Sequence, residues 1–214
     1  MDGRPVATAP GTDTLGAAQS GLIAPLRSTQ RHTALKHAMS IADRVMESIN
    51  KYVANDLDNA LIQVCIALDG TSKKEYPEMK KVGERFQAFV KDNQDIITFF
   101  TFNTNIFINF SFGGYTIEQF IYKVLRCGLL HEGEVPEILK FTEPGADITI
   151  SDKQWCIPKT FIFGTLLAII GASSNANQVL SNDISVNIMG QNFDVNNLWG
   201  HADRIRQAMK PPAA

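Results

Sequence analysis

The stretch FIFGTLLAII, Phe161 to Ile170, carries no charged side chain on any face. Such a run must be enclosed by protein or by lipid. It is about half the roughly 20 residues that a bilayer span requires. It is therefore read as a helix crossing a protein core, starting at Pro158 with proline in the first helical position. No membrane partner is expected. With 214 residues, the chain is long enough to build one domain with a real core around this helix. A hydrophobic fraction of 44% and a charged fraction of 20% match that reading.

The opening residues, MDGRPVATAPGTDTLGAAQSG, lack a cationic start followed by an apolar core, so no signal peptide is read there. Residues 1–28 are expected to be a disordered tail and residues 29–214 a single domain. The domain divides into a helical bundle over 29–133 and an extension over 134–210. Cys65, Cys127 and Cys156 are odd in number and lack a CxxC pair, which argues against a disulfide framework and a thiolate zinc site. A reducing, cytoplasmic location follows, with no cofactor and no metal. The net charge of −2 provides no global field for nucleic acid, so RNA binding would need a local basic patch.

Helical spacing of Leu35, Ala38, Ile41, Ala42, Val45, Met46, Ile49 and Val53 predicts a long amphipathic helix from Ser28 to Ala54. A second helix is predicted from Asp56 to Leu68, followed by a Gly stop and a Pro restart in DGTSKKEYP. A third is predicted from Glu78 to Lys91, and a short one from Asp95 to Phe102, leading into an irregular connection. Thr116 and Gln119 form a capping box ahead of Ile117, Phe120, Ile121, Val124, Leu125 and Leu129. Beyond that helix, EILKFT and DITISD read as a hairpin around EPGA, and ISVNIM and NFDV as a second hairpin around Gly190. A closing helix is predicted from Asn197 to Met209, burying Leu198, Ile205 and Met209. The fold class is mainly α with minor β: a helical bundle, two small β-hairpins and C-terminal helices.

The chemistry concentrates in LRCGLLHEG, Leu125 to Gly133, where four residues separate Arg126 from His131. Such a pair can cleave RNA without metal, because the ribose 2′-OH already lies beside the scissile phosphate. The protein must add a proton carrier titrating near neutrality and a fixed cation facing the phosphoryl oxygens. His131 suits the first role and Arg126 the second. Five positions on an ideal helix place them roughly 140° apart. They converge only if the helix ends near Leu130 or if two copies meet across a two-fold axis, which predicts a homodimer with a composite site. Gly128 in the apolar stripe would let another helix approach closely. The alternative is structural: His131 complements the helix dipole, Gly133 ends the helix and Arg126 is solvated.

Arg, four residues and His, late in a core helix of a helical bundle, resembles the HEPN superfamily. ALDG, YP and GERFQAFV upstream, and IPKTFIFG and NNLWG downstream, are similar to HEPN-related bacterial proteins. The resemblance implies an RNA-binding protein or metal-independent endoribonuclease acting as a dimer, in stress, toxin–antitoxin or phage-defence systems. Arg126 and His131 are the two positions it maps. Active members usually place a polar residue after the Arg, where this chain has Cys127. The alternative is therefore a catalytically inactive dimerisation or interaction module whose partner is encoded by a neighbouring gene.

His32 and His37 lie on different helix faces with no carboxylate or thiol to complete a metal shell, and are read as structural or surface residues. His201 is placed at a helix start and Trp199 in the core. GASSNAN, Gly171 to Asn177, lacks the Lys and the spacing of a P-loop. Lys73, Lys74, Lys80, Lys81, Arg85 and Lys91 are read as a solvated helix face in preference to an RNA-contacting strip. A third reading makes the hairpin half the working end and the helical half a dimeriser, with the largest pocket away from Arg126, beside the hairpins and the Pro158 helix.

Overall fold

The computed structural model describes residues 39–102, 111–112, 115–122, 139–143, 149–150 and 154–210. These residues all belong to one compact unit. The protein is mainly helical with a few short strands, as its periodicity predicts.

Helix α1 spans Ile41–Val53. The helix predicted from Ser28 to Ala54 is seen from Ile41, after Ser40, whose extended backbone makes it an N-cap; residues 28–38 of that prediction lie outside the described residues. Ser40 Oγ accepts from Asp43 N at 3.0 Å, and Asp43 Oδ2 accepts from Ser40 N at 2.8 Å. This reciprocal pair satisfies two orphan donors, so the helix starts here. The Ser40 bonds also hold the Asp43 carboxyl below the usual carboxylate range.

Helix α2, Leu57–Glu75, lies along α1. Its predicted stop at Gly70 does not occur. Gly70 is a weak helix former, but buried Thr71 and Ser72 bond back to the carbonyls of Ala67 and Asp69, and the helix runs on to its C-cap, Tyr76, just before Pro77. That is where proline commonly follows a helix. Helix α3, Val82–Asp92, starts later than predicted because of this extension. Helix α4, Gln94–Phe102, follows directly and buries Ile96, Ile97 and Phe99.

The connection read as irregular contains a minimal antiparallel pair, β1 (Ser111–Phe112) and β2 (Tyr115–Thr116). The predicted capping box is present at the next element, α5 (Ile117–Phe120). Gln119 Oε1 accepts from Thr116 N at 3.2 Å, and Thr116 Oγ1 from Gln119 N at 3.4 Å.

The first predicted hairpin is not formed. Strands β3 (Leu139–Thr142) and β4 (Thr149–Ile150) are separated by β5 (Trp155–Pro158), which pairs parallel with β3 and antiparallel with β4. Trp155, Cys156 and Ile157 complete a three-stranded sheet, and Pro158 sits at its end, where a missing N–H is tolerated. Helix α6 therefore begins at Thr160, not Pro158, and ends at Gly171. Almost its whole body is buried, as its uncharged sequence requires.

The second hairpin forms as predicted: β6 (Ser185–Ile188) pairs antiparallel with β7 (Gln191–Asp194). Met189 and Gly190 both have positive φ, 48° and 82°, which suits the tight turn of a twisted hairpin. The closing helix α7 covers Ala202–Ala208, starting later than predicted because Gly200, at φ 77°, breaks the chain direction first. Leu198, Ile205 and Met209 are buried as expected.

Candidate functional site

Helices α2, α3 and α6 end around one cleft of about 380 Å³, whose far wall is the first part of α7. The sequence sets up each wall locally. Pro77 ends α2 and leaves Glu75 and Tyr76 on the rim. Asn93, C-cap of α3 and immediately ahead of α4, lines the floor. Gly200 allows its segment to touch the chain after α6: a Cβ there would lie 2.5 Å from that of Ala176. Gly200 N donates to Ile170 O at 2.9 Å, which presents His201 at the cleft.

Polar bonds tie these ends together. Tyr76 Oη donates to Asp92 Oδ2 at 2.7 Å, joining the last turn of α2 to that of α3. Arg206 of α7 donates from Nε to Asp95 Oδ2 at 2.7 Å, from Nη2 to Asp95 Oδ1 at 3.2 Å, and from Nη2 to the Asp92 carbonyl at 3.1 Å. Glu75 accepts from Ser173 Oγ at 2.8 Å and from Ser174 N at 3.0 Å. Behind this surface, fully buried Asn175 donates to Thr71 Oγ1 and to Ile169 O, both at 2.9 Å.

The ionisation follows the contacts. Burial, then the bond to Asp92, pushes the Tyr76 hydroxyl well above its ordinary value, so it remains a donor. Burial alone would raise Glu75, but the bonds from Ser174 and Ser173 prevail and hold its carboxyl below the ordinary value. The Asp95 bond raises Arg206 further. Among the described residues no group of three or more His, Cys, Asp or Glu side chains could hold a metal ion.

Arg126 and His131, the predicted catalytic pair, lie outside the described residues, as do Cys127, Gly128, Gly133, His32 and His37. His201 is an exposed N-cap residue of α7, and Trp199 is buried in the core, both as read from the sequence. Cys65 is buried and Cys156 partly buried, and neither forms a disulfide. Lys73, Lys74, Lys80, Lys81 and Lys91 are exposed, and Lys81 pairs with Glu84 at 2.6 Å, whereas the Arg85 side chain is largely buried, 3.9 Å from Asp69. GASSNAN caps the end of α6 with a short 3-10 turn at Ser173–Asn175. The third reading placed a pocket beside the hairpins and the Pro158 helix; the cleft lies at the C-terminal end of that helix, α6, and no residue of β3 to β7 lines it.

Sequence reasoning missed Glu75, Tyr76, Asp92, Asn93 and Arg206 as one group. Taking Gly70 as a helix stop put Glu75 and Tyr76 in a loop. Pro77 was the signal that located the true helix end. No local pattern announces that Arg206 meets Asp95.

A family model named Rv1289 matches residues 40–213. The chain is 25% identical over 184 residues to the uncharacterized protein Rv1289 of Mycobacterium tuberculosis (strain ATCC 25618 / H37Rv), covering 79% of this chain and 87% of that one. The uncharacterized protein Mb1320 of Mycobacterium bovis matches with the same identity and coverage. No solved structure matches significantly. Among the described residues no helix is long and apolar enough to cross a membrane. With the family model spanning the described fold from the α1 cap to the last helix, the chain belongs to the Rv1289 family.

Proposed function

We propose that the chain is a HEPN-like cytoplasmic homodimer that binds RNA or cuts it without metal. In this reading Arg126 neutralises charge on the phosphoryl group and His131 transfers the proton. Its support is the capping box of Thr116 and Gln119, which starts a helical segment ahead of the motif in a mainly helical fold, with Phe120 and Ile121 buried. The two-fold pairing brings one Arg and one His from each copy to the scissile phosphate, since one straight helix separates them.

The test is incubation of the purified chain with mixed RNA in EDTA, beside His131→Ala and Arg126→Ala, with mass measured by light scattering. The wild type should cleave as a dimer. Losing the proton carrier should slow cleavage by about 10²–10⁴-fold. Equal cleavage by all three proteins, or by none, overturns the nuclease. A dimer that cleaves nothing and still retains RNA leaves RNA binding standing; a dimer that does neither is the silent interaction module.

A further inference from the structure

Around the cleft where three helices end, most side-chain donors are engaged while several acceptors are left open. Arg206 is committed to Asp95 and the Asp92 carbonyl. Arg204 donates to Asn197 O at 3.2 Å and lies 5.5 Å from the centre of the Phe193 ring. The hydroxyls of Tyr76 and Ser173 donate to Asp92 and Glu75. By contrast, Asn93 is only 9% exposed, and its Nδ2 donates to Phe89 O at 3.0 Å while its Oδ1 accepts no bond. This Oδ1 is not sealed among the buried unpaired atoms, so it opens onto the cleft that Asn93 lines. Asp92 binds Tyr76 through one oxygen and keeps the other free. Asp203 is fully exposed, with Arg206 Nη1 no closer than 3.7 Å.

The backbone adds to this. The C-terminal ends of α2, α3 and α6 converge here, and each carries the partial negative charge of its carbonyls. An anion would meet these ends and the carboxylates of Glu75, Asp92 and Asp203, which outnumber the one guanidinium, that of Arg204, not already paired with a carboxylate. A bare metal ion would find no cluster of three ligating side chains among the described residues. The volume, about 380 Å³, falls in the range of small-molecule sites.

We propose that this cleft binds an organic cation, a primary ammonium or guanidinium group, whose N–H donors meet Asn93 Oδ1 and the carboxylates of Asp92 and Asp203. The requirement is the mirror image of the protein's own inventory: unsatisfied acceptors in a partly enclosed site call for a donor-rich, positively charged ligand.

The test uses the full chain and agmatine, which carries both head groups, in calorimetric titrations at low salt, with 1,4-butanediol and magnesium chloride as separate arms. Agmatine should bind saturably at one site, and neither control should. Asp203→Asn, at a fully exposed position that leaves the fold intact, should weaken agmatine about threefold, the scale of one exposed ion pair. Asp92→Asn keeps an acceptor for Tyr76 and should weaken it about tenfold. Glu47→Gln, on α1 away from the cleft, should change nothing. Absence of saturable agmatine binding, equal binding of butanediol or magnesium, unchanged affinity in both cleft variants, or a loss in Glu47→Gln equal to theirs overturns the proposal.

Discussion

Helix α6 contributes to two regions built on opposite principles. Along its body it crosses α4 so closely that a Cβ on Gly164 would lie 2.6 Å from the Ile97 carbonyl oxygen. Apolar contact and an absent side chain make that crossing possible, and Thr160 Oγ1 donates across it to Thr101 O at 2.8 Å. At its C-terminal end the same helix enters a region held by hydroxyls, carboxylates and one guanidinium, around a cleft. The dry crossing tolerates no added atom, whereas the polar end is tied by individually modest bonds. Rigidity therefore comes from the first and a capacity to bind from the second.

The largest expected effect is at the crossing. Gly164→Ala should cost about 3 kcal/mol, the upper part of the range for overpacking, because the obstacle is backbone and cannot rotate away. An ordinary exposed helical glycine would instead gain about 1 kcal/mol from this change. Chemical denaturation therefore reads the sign: a more stable variant would show that the helices can separate and that the crossing is not tight.

At the polar end Arg206→Ala should cost about 1 kcal/mol, since it removes a bidentate contact to Asp95 that is only partly shielded from water. A loss as large as that of Gly164→Ala would erase the contrast between the two regions.

The smallest effect is that of Glu75→Gln, and it depends on pH. The folded Glu75 carboxyl sits below its ordinary value of 4.5, so its contribution is fully present above that value. It is lost as pH falls through the depressed folded value. The gap between wild type and Glu75→Gln should therefore be less than about 1 kcal/mol near neutrality and should close as the pH falls through the depressed folded value. A gap that widens in acid would mean that the Ser173 and Ser174 bonds do not favour the charged form.

Much of the helical framework was legible because its signals are local. The spacing of Val64, Cys65 and Leu68, the Thr116–Gln119 capping box and the uncharged α6 each report on neighbours a few positions away. The candidate site was not legible in the same way. His201 could be placed at a helix start from Trp199 and Gly200, but its meeting with Tyr76, Asp92 and Asn93 joins residues more than a hundred positions apart. Arg126 and His131 were singled out by chemistry alone and lie outside the described residues.

The sequence by itself determined where apolar periodicity demands helix, that Phe161–Ile170 must be enclosed, and that the chain turns a hairpin around Gly190, because these follow from bonding and solvation within a few residues. Only the tertiary structure decided that β5 would separate β3 from β4 and that α2 would run through Gly70. It likewise decided that three helix ends would surround a cleft of open acceptors. Those outcomes depend on competition between distant partners: the backbone of Trp155–Ile157 pairs with both strands, and the packing around Thr71 and Ser72 outweighs the helix-breaking tendency of one glycine.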